Sequence, residues 1–171
     1  MIMRNIFRQF ILIIVICLIF SGLSIAKTTL KIGKTPPNIQ LKTITNENFE
    51  LYKVLGKKVI ILTYFTSWCN SCKESLAFLN DIQEKYGEKN IKVIGISLDK
   101  KTNQLDNFIK ANKLKLEIIR DKKLKTLNDY RILIIPTTFL IDRDGKLQNI
   151  FVDFDKNIAE NLEKDLKILL K

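Results

Sequence analysis

One stretch of this 171-residue chain decides how the rest folds: Val59-Ile60-Ile61-Leu62-Thr63-Tyr64-Phe65-Thr66-Ser67-Trp68-Cys69-Asn70-Ser71-Cys72. Its near-continuous apolar start, residues 59–65, predicts a central strand that is covered on both faces. From Asn70 to about Tyr86 apolar residues recur at helical spacing, and Gly87 then favours the end of a helix. Two cysteines therefore lie at a predicted strand-to-helix junction.

The spacing of Cys69 and Cys72 allows them to form a disulfide. If Cys69 opens the helix and Cys72 lies one turn on, their α-carbons are about 5 Å apart, within the range that a disulfide tolerates. Unpaired N–H groups at the start of a helix favour a thiolate, so we expect a lowered pKa for Cys69 as nucleophile and a shielded, resolving role for Cys72. The alternative is a structural disulfide or two free core cysteines, although so short a loop constrains the unfolded chain little.

Two motifs together resemble one known family. Trp68-Cys69-x-x-Cys72 follows an apolar strand, Ile135-Pro136-Thr137-Thr138-Phe139-Leu140-Ile141-Asp142 comes later in the chain, and Asp144-Gly145-Lys146 follows it. This combination is similar to the thioredoxin superfamily. Within it, the chain resembles the extracytoplasmic branch of membrane-tethered, TlpA/ResA-like thiol-disulfide oxidoreductases, which includes the reductases of cytochrome c maturation. The resemblance covers roughly residues 36–171.

The resemblance implies an α/β, thioredoxin-like fold with a mixed four- to five-stranded central sheet, helices on both faces and an N-terminal hairpin. It also implies a cis Ile135–Pro136 bond packed against the redox pair. The backbone of Ile135 would then bind an extended client segment by β-augmentation, and Trp68 would flank the nucleophile as an apolar platform. The alternatives are a trans proline that begins a strand and a tryptophan that belongs to the core.

The remaining elements follow from local patterns. Residues 38–51 predict a strand and hairpin. The resemblance implies that a short helical turn follows at residues 51–55. The order that follows, strand then helix then strand, predicts parallel pairing. Further strands are predicted at residues 91–98, 116–119 and 147–152, and further helices around 105–112, 122–130 and 155–170.

Residues 1–26 have the pattern of a secretory signal: two arginines, an apolar stretch, and small residues before a cleavage point after Ala26. The competing interpretation is an uncleaved membrane anchor, because residues 10–26 are uncharged and reach the short limit of a span. Either way the remainder is expected outside the cytoplasm, in the periplasm or anchored to the inner membrane. Residues 27–35 are then a linker, and residues 36–171 form the thioredoxin-like domain.

The composition narrows the function classes. The chain has no histidine, which removes hydrolase triads and most zinc sites, so we expect no metal and no cofactor. Residues 1–26 contain two arginines and no acid, which leaves 27 basic and 18 acidic residues and a net charge of +9. Because the lysines are spread along the chain, we interpret this charge as a solvated surface with weak attraction to anionic lipid. We expect no nucleic-acid partner.

The active-site segment departs from the family pattern. Asn70 and Ser71 stand between the cysteines, where membrane-tethered reductases usually keep a proline before the second cysteine. Those reductases also resemble one another in a glutamate that assists proton transfer, at the position that Ser75 holds here. Glu74 is displaced from it by one residue, which rotates a side chain on a helix by about 100°. Glu74 is therefore a candidate for proton transfer, and the departures leave the client open.

The predicted chemistry is thiol–disulfide exchange through Cys69 and Cys72. The leading hypothesis is a monomeric extracytoplasmic reductase of client disulfides, such as those of apocytochrome c, that is recharged by a membrane electron donor. One alternative is a general oxidant or isomerase of secreted proteins. A thiol peroxidase is another: Thr66 precedes Cys69 at the spacing such enzymes use, but Leu62 replaces their proline.

Overall fold

A computed structural model describes residues 30–171; the predicted leader, residues 1–26, lies outside the described residues. The strands are β1 (Gln40–Thr43), β2 (Asn48–Glu50), β3 (Val59–Phe65), β4 (Ile91–Ser97), β5 (Glu117–Arg120), β6 (Thr137–Ile141) and β7 (Leu147–Val152). The helices are α1 (Leu51–Val54), α2 (Asn70–Tyr86), α3 (Thr102–Ala111), α4 (Leu127–Tyr130) and α5 (Lys156–Leu169). None of the helices between residues 30 and 171 is both long and apolar enough to cross a membrane.

The strands form one mixed sheet in the order β2-β1-β5-β4-β3-β6-β7. The predicted parallel pairing is confirmed for β3 with β4 and for β4 with β5, whereas β6 runs antiparallel to β3. The expectation of four to five strands is wrong, because the sheet has seven. The N-terminal hairpin is not a separate feature: β1 pairs with β5 and so adds two strands to the edge of the sheet.

Helices cover both faces of the sheet, as expected. Side chains of β3 alternate between the two apolar layers, since Ile61 and Phe65 pack with α2 and α5 while Ile60 and Tyr64 pack with α1 and α4. All seven residues of β3 are buried, as the apolar run predicts for a central strand. The strand thus fixes the point at which the chain leaves the sheet toward the cysteines.

One predicted helix is much shorter in the structure. The spacing of apolar residues predicts a helix over residues 122–130, but α4 contains only Leu127–Tyr130. The Asp121 carboxylate accepts hydrogen bonds from the backbone N–H groups of Lys125 and Thr126 and from the Thr126 hydroxyl. Leu124 has a φ of 54°, which no helix continues. An Asp-centred turn therefore replaces the first turns of the predicted helix.

Helices α2 and α5 are joined by an ion-pair network around Glu163. Its carboxylate accepts hydrogen bonds from Lys85 Nζ at 2.7 Å and from the Tyr86 hydroxyl at 2.9 Å, and Lys167 Nζ lies 3.4 Å away. The hydrogen bonds from Lys85 and Tyr86, with Lys167, lower the pKa of Glu163 from 4.5 to about 2. The ionised form of Glu163 is therefore favoured by folding.

We expect Glu163→Gln to lower the free energy of unfolding by about 1 kcal/mol at neutral pH. Because the folded pKa is depressed, the stabilisation is complete above the unfolded value of 4.5 and is lost as the pH falls toward about 2. Urea denaturation at neutral pH and near pH 3 measures both effects. Glu160→Gln is the matched control on the same helix, since that carboxylate is 66% exposed and lies 3.9 Å from its lysine. Equal losses in the two variants would contradict the prediction.

Candidate active site

Cys69 and Cys72 form a disulfide at the start of α2. Their α-carbons are 5.2 Å apart, which agrees with the distance expected from one helical turn. Cys69 is the N-cap residue of α2, and its Sγ accepts a hydrogen bond from the Cys72 backbone N–H at 3.1 Å. No acidic residue lies in the first turn of the helix. When the bond is reduced, this environment favours a thiolate on Cys69.

The two sulfurs differ in their access to solvent. Cys72 is completely buried within the apolar layer under α2, whereas Cys69 is only partly buried. Cys69 Sγ lies 3.9 Å from the backbone oxygen of Ile135 and 3.6 Å from the Ser71 hydroxyl. The Ile135–Pro136 bond is cis, as the resemblance implies. The fold therefore places the predicted client-binding backbone of Ile135 beside the reachable sulfur.

Exposed apolar side chains lie in the two loops that meet at the disulfide. Trp68 is 74% exposed, which excludes the alternative that it belongs to the core. Leu133 is 94% exposed and Ile134 54% exposed, directly before Ile135. The exposure of Leu133 and Ile134 could not be predicted, because both stand in an apolar run that looks like part of a strand. Large apolar side chains left in water at a reactive site are typical of binding surfaces.

A buried carboxylate supports the loop that carries the cysteines. Asp99 is 3% exposed and follows β4 at the end of the sheet where β3 also ends. It accepts hydrogen bonds from the Ser67 backbone N–H at 2.9 Å, the Ser67 hydroxyl at 2.7 Å and the Ser97 hydroxyl at 2.8 Å. This role of Asp99 does not follow from motif spacing and was not predicted. An acid directly after a buried strand was the signal that could have revealed it.

Of four further side chains in β3, the loop after it and α2, one is exposed and three are buried. Glu74 is exposed on α2, so its role in proton transfer stays a prediction. Ser75, which holds the position of the family glutamate, is buried. Thr63 is buried and shares a 2.9 Å hydrogen bond with the hydroxyl of Thr138 across β3 and β6. The Thr66 hydroxyl is buried and has no hydrogen-bond partner in the described part of the chain.

Known proteins with similar sequences agree on one class. Residues 32–150 match the AhpC/TSA family. Thiol-disulfide oxidoreductase ResA of Bacillus cereus is 31% identical over 169 residues, which is 96% of this chain and 93% of the relative. Thiol-disulfide oxidoreductase ResA of Bacillus thuringiensis subsp. konkukian is 32% identical over 170 residues, with 96% and 95% covered.

Solved structures agree with the sequence relatives. A crystal structure assigned to thiol:disulfide interchange protein DsbE of Chlorobium tepidum superposes with a TM-score of 0.78 at 31% identity, covering 84% of this chain and all of the other. StoA from Bacillus subtilis gives a TM-score of 0.62 at 28% identity, covering 75% and 96%. With the Cys69–Cys72 disulfide at the start of a helix, these likenesses mean that the chain belongs to the AhpC/TSA family and, within it, to the ResA-like thiol-disulfide oxidoreductases.

Proposed function

We propose that this oxidoreductase reduces disulfides of client proteins outside the cytoplasm. The observation that carries the proposal is the unequal burial of the redox pair: Cys69 is reachable, and Cys72 is sealed beneath it. A protein disulfide can reach a nucleophile at the surface, and a buried thiol one helical turn away can then resolve the mixed disulfide. Exposed apolar side chains at the same place, Trp68, Leu133 and Ile134, suit contact with a polypeptide.

The exchange needs two steps, in which electrons and protons balance. The Cys69 thiolate attacks one sulfur of the client disulfide, which forms a mixed disulfide and releases the other client sulfur as a thiolate that takes up a proton. Cys72 loses its proton and attacks Cys69 Sγ, which breaks the mixed disulfide and releases the second client thiol. The enzyme is left with the Cys69–Cys72 disulfide, and two electrons have passed to the client. A dithiol donor then restores the reduced pair.

The place and partners of this reaction are inferred from the sequence. The leader pattern of residues 1–26 supports export to the periplasm, with or without a retained membrane anchor. In an oxidising compartment a reductant must be recharged, so the donor is expected to be a membrane carrier of thiol electrons. Clients with paired cysteines such as apocytochrome c fit the resemblance to the reductases of cytochrome c maturation. We propose that the protein acts as a monomer.

Two measurements test this function. The reduction potential of the Cys69–Cys72 pair, from equilibration with glutathione, is expected below about −230 mV, whereas a value near −120 mV belongs to strong oxidants and would contradict a reductase. Cys72→Ser, expressed in the native cell, should trap clients as mixed disulfides on Cys69. A catch dominated by haem-attachment proteins supports the named client class, and a broad catch of secreted proteins favours a general oxidant or isomerase. Rapid peroxide consumption by the same variant would indicate a thiol peroxidase instead.

Trp68→Ala is expected to weaken client binding without destabilising the fold. The indole is 74% exposed, so little core packing is lost, but an exposed aromatic beside the reactive sulfur suits an interface anchor. We expect the KM for a protein disulfide to rise about tenfold while kcat changes little. Ile168→Ala is the matched control, because Ile168 is 58% exposed on α5. A KM that stays at the wild-type value in Trp68→Ala would refute this role.

A further inference from the structure

In the two loops that follow β4 and β5, the acidic side chains are buried and the lysine side chains are exposed. In the segment after β5, Asp121 is fully buried and accepts a hydrogen bond from the Thr126 hydroxyl. In the segment after β4, Asp99 is buried and accepts hydrogen bonds from the hydroxyls of Ser67 and Ser97. The lysines next to these acids are all exposed: Lys100, Lys101, Lys122, Lys123 and Lys125. The solvent side of this end of the sheet therefore presents positive charge.

Part of this surface is concave. A cavity of about 720 Å³ lies between the segment after β5 and the hairpin formed by β1 and β2. We call it the basic groove and define it by five cationic residues of its lining: Lys42, Arg120, Lys122, Lys123 and Lys125. A cleft that is lined by charges of one sign, in protein of low dielectric constant, concentrates their electric field and attracts ligands of the opposite charge.

The cavity has an excess of positive charge, because six cations and two acids, Glu50 and Asp121, line it. Within residues 30–171, none of the five cations that define the basic groove forms an ion pair with a carboxylate. Arg120 Nη1 and Lys122 Nζ instead share the uncharged hydroxyl of Thr102, at 3.3 and 2.8 Å. Glu50, which also lines the cavity, is already bound by Lys53 at 3.2 Å. An anionic ligand would therefore find cations that no carboxylate of residues 30–171 binds.

The sheet fixes the distance between the basic groove and the end of β3. One cross-strand row contains Phe65, Ser97, Arg120 and Lys42 as successive partners. Neighbouring strands lie about 4.8 Å apart, so Arg120 is about 10 Å from the end of β3, where the chain turns toward Cys69. Cys69 lies four residues beyond the end of β3, which adds at most about 14 Å. An extended peptide of about seven residues therefore reaches from the sulfur to the groove. A client whose cysteine is bonded to Cys69 can thus place its flanking residues in the groove.

We propose that the basic groove binds an acidic segment of the client polypeptide that lies within about seven residues of the reacting cysteine. This inference rests on the proposed exchange with protein clients and adds a preference among them. Attraction between the groove cations and the acidic segment raises the association rate and orients the bound segment. The disulfide exchange itself is carried out by Cys69 and Cys72. Because exposed charges act over about 10 Å at 0.1 M salt, the preference should fade as the salt concentration rises.

The test uses two disulfide-linked peptides that differ only in their flank, three glutamates in one and three glutamines in the other. The rate constant of reduction by the reduced protein is measured for both at about 0.05 M and 0.5 M salt. The groove variant is Lys122→Gln/Lys123→Gln/Lys125→Gln. The matched control, Lys57→Gln/Lys89→Gln/Lys110→Gln, removes the same charge from exposed lysines near the opposite ends of β3, β4 and α3.

We expect the wild-type protein and the control variant to reduce the acidic peptide about tenfold faster than the glutamine peptide at low salt, and the groove variant to lose most of that preference. Equal preference in the two variants, or none in the wild-type protein, would overturn the proposal. A second readout is the affinity of the labelled acidic peptide for Cys69→Ser/Cys72→Ser, which does not depend on turnover. If binding follows the groove lysines but neither peptide is reduced, the proposed function fails and the groove proposal stands.

A membrane is the other anionic surface that this groove could meet. Vesicles of anionic phospholipid are therefore added to the reduction assay with the acidic peptide. Vesicle binding that depends on Lys122, Lys123 and Lys125, without any preference between the peptides, would assign the groove to lipid and overturn the proposal. If the peptide preference is present and the vesicles do not abolish it, the proposal is supported.

Discussion

Replacing Cys69 with serine is expected to abolish disulfide exchange. A serine hydroxyl does not ionise at physiological pH and cannot form a disulfide, so the mixed disulfide never forms. Cys72 cannot take over, because its side chain is completely buried. The measurement is the reduction of a protein disulfide by the dithiol form, followed as the appearance of client thiols. We expect no rate above that of the uncatalysed reaction.

Cys72→Ser is the matched variant, and it separates attack from resolution. It keeps the reachable sulfur of Cys69, so the first step should proceed at a rate close to that of the wild-type protein, and the mixed disulfide should then accumulate. The two variants should retain the fold, since serine differs from cysteine by one atom. Turnover by Cys69→Ser, with Cys72 alone, would mean that the inner sulfur is reachable and would contradict the assignment of roles.

The part of the fold built from sequence-local signals could be predicted. The strand β3, the helix α2 and its end at Gly87 all follow from apolar periodicity and one glycine, and the structure has them where the pattern predicts. Parallel pairing of β3 with β4 follows from the intervening helix. The position of the cysteines follows from the same signals, because they stand where a strand ends and a helix begins.

Non-local pairing could not be predicted from these patterns. β5 contains only four residues, Glu117–Arg120, and nothing in its composition shows that β1 pairs with it on one side and β4 on the other. The hairpin was expected, but its place in the central sheet was not. The turn at Asp121 was missed for a related reason: Leu124, Leu127 and Tyr130 have helical spacing, and side-chain hydrogen bonds of Asp121 override it.

In the candidate site, too, local motifs could be predicted and features that depend on tertiary packing could not. Cys69, Cys72 and Ile135 were identified from motifs, and the structure brings the three together. Leu133 and Asp99 were not identified, because the role of each depends on how much of its side chain is exposed to solvent. An isoleucine-rich run before a proline does not show that Leu133 is 94% exposed, and a turn acid does not show that Asp99 is 3% exposed. Solvent exposure depends on tertiary packing, which one sequence does not display.

Asp99 supports the second large prediction. Asp99→Ala removes the acceptor of the Ser67 backbone N–H and of the hydroxyls of Ser67 and Ser97. Leaving these donors unpaired in a buried place should lower the free energy of unfolding by about 3 kcal/mol. Asp99→Asn keeps the size and one acceptor oxygen, so its loss should be about half as large. Urea denaturation of the oxidised protein measures both.

The charge of Asp99 should also act on the redox pair. Ser67 lies within 2.9 Å of the Asp99 carboxylate and precedes Cys69 by two residues. The carboxylate is therefore at most about 13 Å from the sulfur once the Cys69 side chain is included. At that distance, and with an effective dielectric constant of about 20, a negative charge disfavours the thiolate by about 1 kcal/mol. Asp99→Asn should consequently lower the pKa of Cys69 by about one unit, measured from the ultraviolet absorbance of the thiolate.

A matched control separates the charge of Asp99 from the geometry of its loop. Ser67→Ala removes one hydrogen bond from the loop but keeps the carboxylate, and the other charged side chains nearby, Lys73, Glu74, Lys100 and Lys101, are exposed and unchanged in both variants. We therefore expect a pKa of Cys69 in Ser67→Ala close to the wild-type value. A pKa that falls equally in Ser67→Ala and Asp99→Asn would show that loop position, and not the buried charge, governs the thiolate. If the charge governs it, the dithiol form is more stable in Asp99→Asn and the reduction potential rises, because a stabilised thiolate favours the reduced pair.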